Sequence, residues 1–359
     1  MNLLWINQKT DLDDSGLGVA IDWISNFAGK FDKIYVITHE AGRLPKIDNV
    51  EIVSVGKELG YSKFRRAWEL YRHSWRILND HKIQGCFVHM VPIFGVMLAP
   101  LLRLKGIPVL QWYTHKHTSL ILRLICYFAN HILTASHESV SLKSPKILVT
   151  GHGIDIDLFR PENTKNKDIK SLRKAKKIIT VGRISPVKKL DVLISIAMEL
   201  RQNGLAFELS IIGEARGNQG EAYLTALKRK VKENNLEQFV HFVGSIPRRE
   251  LPNWYQNADF FINLCVTGGL DKAVMEAMCC YTPILTSNTT FKPMLKQIAP
   301  ATFLSKNDKK ELLNGIKYWL GLPEHEKNDV VKKMRLWVEN NHSLTAFVDK
   351  VFAIFKRLQ

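Results

Sequence analysis

Residues 258–288 read ADFFINLCVTGGLDKAVMEAMCCYTPILTSN. A β-prone apolar run, FFINL, ends just before a glycine pair; a helical pattern follows, and a second β-prone run, PILTSN, closes the unit. Strand, glycine turn, helix and strand in that order form the repeat of a parallel α/β sheet. The Gly268-Gly269 turn exposes backbone amides, and the helix, starting near Asp271, brings its positive end to the same place. One carboxylate, Glu276, sits more than a turn inside that helix among Val274, Met275, Ala277 and Met278. A charge on so apolar a helix is costly unless a partner satisfies it. A pair of ribose hydroxyls would do so, and an internal salt bridge is the competing reading.

Working outward, the same alternation fills the chain. Toward the N-terminus come KIITVG, a helix from about Leu190, FELSIIG, a helix from about Gly220, and VHFVGS. Pro161 to Lys177, PENTKNKDIKSLRKAKK, is polar, charged and free of large apolar clusters, and reads as a linker. Before it lie LLWIN, KIYVIT, EIVSV, GCFVHM, PVLQWYT, HILTAS and KILVTG, with helical patterns at VAIDWISNFAG and FRRAWELYRHSWRILND. The expectation is an α/β protein of two Rossmann-like doubly wound domains facing across a cleft. Residues 1–160 form the first, 161–177 the linker and 178–343 the second. The last segment carries Phe347, Val351, Ile354 and Phe355 at helical spacing, and a helix over 344–359 is expected to pack back on the first domain.

Strand ends supply the remaining candidates. In VGRISPVKK, Gly182 closes a strand, and Arg183 and Lys188 follow within reach of one anion, for which a diphosphate is the natural guest. Two cations on a solvated, Lys-rich surface are the plain alternative. Gly213, in SIIGEARGNQGEAYL, lets a ligand approach backbone closely. Gly244 and Ser245 end another strand, where backbone groups can meet a flat base. In the first half, Gly16 and Gly18 of DDSGLGVAIDWI precede a helix, so their amides can meet a phosphate or sugar. Ile21 stands where a dinucleotide fingerprint has its third glycine. His115, in LQWYTHKHTS, follows a strand and faces the expected cleft, with His117 competing for that place. Asp11 and Asp13 make a DxD that reads as loop and capping acids.

The ordered set GRISPVKKLDVLI, VHFVGSIPRRELPNWYQNADFFINL and GGLDKAVMEAMCCYTPILTSN resembles the retaining GT-B glycosyltransferases, and the resemblance covers nearly the whole chain. It implies that Arg183 and Lys188 neutralise a donor diphosphate and that Glu276 binds the ribose. The Gly268, Gly269, Leu270, Asp271 and Lys272 loop would surround the donor sugar, the segment after Gly244 would lie near the base, and the Gly16/Gly18 loop beneath the diphosphate. His115 would contact the reacting sugar or acceptor. Many relatives carry a second acid eight positions before the helix glutamate, where this chain has Gly268; Asp271 is the nearest carboxylate to take over that contact. The family needs no catalytic metal and no cofactor beyond the nucleotide sugar, for which UDP is the commoner carrier.

Composition narrows the partners. Lys and Arg outnumber Asp and Glu by 51 to 34, a formal charge of +17, which favours anionic ligands. Five irregularly spaced cysteines exclude a disulfide framework or CxxC zinc site, and MNLLWINQKT lacks the pattern of a signal peptide, so a cytoplasmic protein is expected. From Lys57 to Arg123 eleven basic residues face only Glu58, Glu69 and Asp80. Within that stretch Phe64, Trp68, Tyr71 and Trp75 recur at helical spacing beside Arg65, Arg66, Arg72 and Arg76. The plainer reading docks this helix on the sheet through its aromatics; the other makes it a cationic face for a lipid-linked glycan or an anionic membrane surface. The functional expectation is hexosyl transfer from a nucleotide diphosphate sugar to a glycan or lipid-linked acceptor. A nucleotide-sugar epimerase shares the architecture, and charge alone suggests a nucleic-acid-binding protein, although no nucleic-acid module accompanies it.

Overall fold

The computed structural model describes residues 1–14, 18–161, 175–266, 269–305 and 308–359. Two compact units divide the chain, Met1–Asp155 with His342–Gln359, and Ile156–Asn341.

The first unit contains β1 (Asn2–Thr10), α1 (Val19–Ala28), β2 (Lys33–Ala41), β3 (Val50–Ser54), α2 (Lys63–Asp80), β4 (Gly85–His89), α3 (Pro92–Leu104), β5 (Val109–Trp112), α4 (Leu120–Phe128), β6 (His131–Thr134) and β7 (Ile147–Val149). All seven strands expected here form, in one parallel sheet of order β3-β2-β1-β4-β5-β6-β7. Leu3, for example, registers with Ile34 on one side and Gly85 on the other. The central strands are buried along nearly their whole length, which is why they read as continuous apolar runs rather than as alternating ones.

The second unit contains β8 (Lys176–Val181), α5 (Leu190–Gln202), β9 (Phe207–Ile212), α6 (Gly217–Glu233), β10 (Val240–Gly244), α7 (Leu251–Asn257), β11 (Phe260–Asn263), α8 (Lys272–Cys279), β12 (Ile284–Thr286), α9 (Lys292–Ile298), α10 (Lys309–Gly321) and α11 (Glu324–His342). Its five parallel strands take the order β10-β9-β8-β11-β12. A final helix, α12 (Leu344–Arg357), belongs to the first unit. Its Phe347 ring lies 4.5 Å from that of Trp23 and 5.0 Å from that of Trp112, completing one face of that unit's core. Trp23 in turn donates its indole N–H to the Gly153 carbonyl at 3.0 Å, and Ile154 bridges to Ser343.

Three features depart from the sequence reading. Residues 92–104 and 120–128 form helices that no amphipathic pattern announced, the first with Pro100 in its interior. The second unit ends in three helices, α9 to α11, beyond those expected from the sequence. And α2 does not dock through its aromatics. Leu70, Ser74, Ile77 and Leu78 meet the core, while Phe64, Trp68, Tyr71 and Trp75 are exposed. The apolar demand of the sheet is met by two leucines and an isoleucine on a neighbouring stripe, which turns the aromatic stripe outward.

In both sheets the strand order reverses direction once, between β1 and β4 and between β8 and β11. Ligands of doubly wound sheets bind outside the carboxyl ends of the strands at such a reversal.

Candidate functional site

The reversal in the second unit places the loops after β8 and β11 side by side, and the expected residues come from both. Gly182 closes β8 with φ +140° and Gly213 closes β9 with φ +137°, conformations that favour glycine. A Cβ on Gly213 would lie 2.1 Å from the Gly182 carbonyl oxygen, so the two strand ends touch backbone to backbone. Gly213 also donates its N–H to the Gly244 carbonyl at 2.8 Å, which ties in the end of β10.

Lys188 lies across this glycine floor, its Cε and Nζ 3.2 Å from where a Cβ of Gly182 would sit. It ends a 3-10 turn, Pro186–Lys188, which the left-handed Lys189 (φ +49°) terminates before α5. Its ammonium meets Asp271 Oδ2 at 2.6 Å, and the two side chains keep only 18% and 15% of their exposure. Asn263, the last residue of β11, donates to the same oxygen at 2.9 Å. Asp271 Oδ1 caps α8 by accepting from the Ala273 amide at 3.2 Å. The carboxylate expected to meet sugar hydroxyls is therefore engaged by three internal donors, and the helix N-terminus carries its own counter-charge. Arg183 is exposed close by, near enough for its charge to oppose that of Lys188.

Burial is the largest influence on both members of the pair and favours their neutral forms, but their mutual attraction outweighs it. Asp271 is held below its ordinary value of 3.8 by Lys188 and by the bonds from Asn263 and Ala273, and Lys188 is raised above its ordinary 10.5 by Asp271. A depressed carboxylate stabilises the fold above its unfolded value and loses that contribution as pH falls through the folded one. A raised ammonium does so below its unfolded value and loses it as pH rises through the folded one. The stability difference between wild type and a Lys188→Met/Asp271→Asn variant is thus expected to be flat between these limits and to shrink beyond each. Thermal unfolding across pH checks this, and a difference that does not shrink at either end refutes it.

Glu276 is 3% exposed, and the structure supplies its partners. Arg248 donates from Nη1 to Oε1 at 2.6 Å and Tyr255 donates its hydroxyl to Oε2 at 3.1 Å. Of the two readings the sequence offers for this buried carboxylate, the internal salt bridge is present and satisfies its burial. Burial first, and the Glu276 charge second, push the Tyr255 phenol well above its ordinary value, so it stays a donor. Arg248 stands on the segment after β10, its guanidinium carbon 4.8 Å from the Phe159 ring centre.

Arg248, Tyr255 and Asn263 escaped the sequence reading. Arg248 and Tyr255 stand 28 and 21 positions from Glu276, and Asn263 eight from Asp271, on a different element in each case. Among the other expected residues, Leu270 turns its side chain into the core, while Ser245 is exposed and Lys272 half-buried. The Gly269 carbonyl accepts from Asn288 at 2.8 Å, which fixes that side of the loop. Gly16 and Gly268 lie outside the described residues. In the first unit Gly18 caps α1, and His115 is exposed in the loop after β5, its ring centre 6.4 Å from that of Tyr113. Asp11 and Asp13 are taken up by Lys9 at 3.1 Å and by Arg43 at 2.6 Å.

Comparison with known proteins gives this geometry a setting. Residues 162–337 match the family model described as Glycosyl transferases group 1. The amylovoran biosynthesis glycosyltransferase AmsK of Erwinia amylovora is 28% identical over 230 residues, 62% of this chain and 54% of that protein. The lipopolysaccharide core biosynthesis mannosyltransferase LpsB of Rhizobium meliloti (strain 1021) is 27% identical over 205 residues, 56% of this chain and 57% of that one. The chain spans about half the length of the curated relatives it matches. Among solved structures, Anabaena Alr3699/HepE in complex with UDP and glucose superposes with a TM-score of 0.76 at 14% identity, covering 99% of each chain. That likeness is one of fold, the GT-B fold of two Rossmann-like units.

Proposed function

We propose, from the match of residues 162–337 to the family model described as Glycosyl transferases group 1, that the chain moves a hexosyl group from a nucleotide diphosphate sugar to a glycan or lipid-linked acceptor. Relatives named for amylovoran and lipopolysaccharide core biosynthesis support a role in cell-surface polysaccharide synthesis. UDP is the carrier to test first, since HepE shares the fold and was solved with UDP. The protein would work in the cytoplasm, on the inner side of the membrane.

The observation that carries this reading is the Lys188–Asp271 pair beside Arg183 on the glycine floor at the sheet's reversal. Lys188 has three donors, of which Asp271 takes one. Asp271 keeps the ammonium charged and in place, and Lys188 and Arg183 offer their remaining donors to the diphosphate. In the reaction the bond from the anomeric carbon to the β-phosphate oxygen breaks, and its electron pair leaves with the phosphate, where the two cations stabilise the growing charge. The acceptor oxygen bonds to the same face of the sugar, and its proton passes to the departing phosphate, so the configuration is retained. No metal or cofactor enters the scheme. Glu276 has lone pairs beyond the two that Arg248 and Tyr255 occupy, and a ribose hydroxyl is proposed to use one. Gly16, Gly18 and His115 are assigned to the sugar and acceptor side by resemblance alone.

Thermal-shift measurements with UDP- and GDP-sugars test the donor, since a ligand at a hundred times its Kd adds about 2.7 kcal/mol of stability. Mass spectrometry of products on lipid-linked acceptors then tests transfer, and NMR of the new linkage tests retention. Absence of stabilisation by every nucleotide sugar refutes the reading. Stabilisation with an altered free nucleotide sugar and no transfer points to an epimerase.

A further inference from the structure

The outward aromatic stripe of α2 is the largest departure from an ordinary surface in the described residues. Phe64 is 89% exposed, Trp68 66% and Trp75 58%. Lone surface hydrophobics need no explanation, but three large aromatics along one stripe, continued by neighbouring helices, do. Continuity is visible in the contacts. Lys105, just past α3, lies 5.9 Å from the Trp75 ring centre and bonds Asn79 of α2 at 2.7 Å. Tyr71 donates its hydroxyl to the Met97 carbonyl of α3 at 2.6 Å. At the far side Arg103 of α3 lies 5.9 Å from the Tyr127 ring of α4. Leu104 between them is exposed, as are Leu120 and Tyr127, which share one face of α4.

Charge follows the same surface. At about 100° per residue, Arg65, Arg72 and Arg76 fall on the side of the aromatic stripe away from the core. Arg103 and Lys105 interleave with the apolar residues, and Arg123 lies on α4. Glu69 and Asp80 pair with Arg72 and Arg76 and are the acids of α2. Aromatic and leucine side chains bordered by arginines and lysines match the boundary of an anionic bilayer, where rings enter among the headgroups and cations meet lipid phosphates. No helix among the described residues is long and apolar enough to cross a membrane, so contact here is with one leaflet.

We infer that the outer face of α2, with the C-terminal end of α3 and the exposed face of α4, docks this protein on an anionic lipid surface. The inference rests on the first unit alone and stands or falls separately from the assignment of sugar transfer. Phe64, Trp68 and Trp75 enter the interface, and Arg65, Arg72, Arg76 and Lys105 hold it by attraction to phosphate. A nucleic acid satisfies the cations and can stack bases on the rings, but offers nothing to the exposed Leu104 and Leu120. A second copy satisfies the apolar residues but brings the same positive charge against itself.

Flotation of the full chain with phosphatidylglycerol/phosphatidylethanolamine vesicles, and with phosphatidylcholine vesicles, at low and high salt tests this. The wild type is expected to float with the anionic vesicles, less so at high salt, and not with phosphatidylcholine. Phe64→Ser/Trp68→Ser/Trp75→Ser and Arg65→Gln/Arg72→Gln/Arg76→Gln are each expected to lower the partition coefficient by about tenfold or more, the first by losing buried apolar area and the second by losing attraction to lipid phosphate. The altered side chains are mostly exposed, and an unchanged unfolding midpoint and nucleotide-sugar shift show that the variants fold. Three results overturn the inference: equal flotation of wild type and both variants, no flotation of the wild type, or a wild-type dimer in solution that the aromatic variant dissociates.

Discussion

Lys188→Ala is expected to lose donor binding, slow transfer by about a hundred- to a thousand-fold, and cost about 3 kcal/mol of stability. The first two effects follow from removing a cation aimed at charge that grows in the transition state. The third follows because Asp271 would stay behind, largely buried and without its counter-charge. The value is placed at the low end for a broken buried pair because both side chains keep some contact with solvent. The two kinds of loss separate in a double variant. Lys188→Met/Asp271→Asn removes the stranded charge along with the cation, so most of the stability returns while transfer does not. Steady-state kinetics and thermal unfolding on the wild type, Lys188→Met, Asp271→Asn and the double variant form the cycle. Recovery of transfer in the double variant would reduce Lys188 to a partner of Asp271 and remove it from the donor site.

Arg248→Ala is expected to destabilise the second unit by about 3–5 kcal/mol, because it removes the counter-charge of the buried Glu276 carboxylate and leaves it beside the neutral Tyr255 hydroxyl. For a unit of this size that lowers the unfolding midpoint by roughly 10 °C. Glu276→Gln keeps an acceptor for Arg248 and costs less stability. Its donor affinity is the informative quantity. A loss of nucleotide-sugar affinity in Glu276→Gln, beyond its loss of stability, supports the ribose assignment. Unchanged affinity in a destabilised Glu276→Gln makes the acid a purely internal ion pair, with the Arg248–Glu276–Tyr255 cluster holding α7 and α8 together.

Legibility in this chain followed the range of the interactions concerned. Short β-branched runs and glycine ends are local, and every strand expected from them forms. The start of α8 at Asp271 was legible for the same reason, since an N-cap acts within three residues. Helices α3 and α4 were not, because α3 is apolar on most sides with Pro100 inside it, and α4 runs for only nine residues, too few for its periodicity to be read. The site divides the same way. Gly182, Gly213, Arg183 and Lys188 could be named from strand ends, yet the partner of Lys188 lies 83 positions away and that of Glu276 lies 28 away.

What the sequence alone determined is therefore the set of strands, the parallel α/β class and the residues that stand at strand ends, each a consequence of local backbone preference and apolar runs. Tertiary structure decided which charges meet. It gave Asp271 to Lys188 and Asn263, gave Glu276 to Arg248 and Tyr255, and turned the aromatics of α2 away from the sheet. Those outcomes depend on strand order and on competition between two stripes of one helix for a single apolar surface, and neither is encoded within a few residues of the groups concerned.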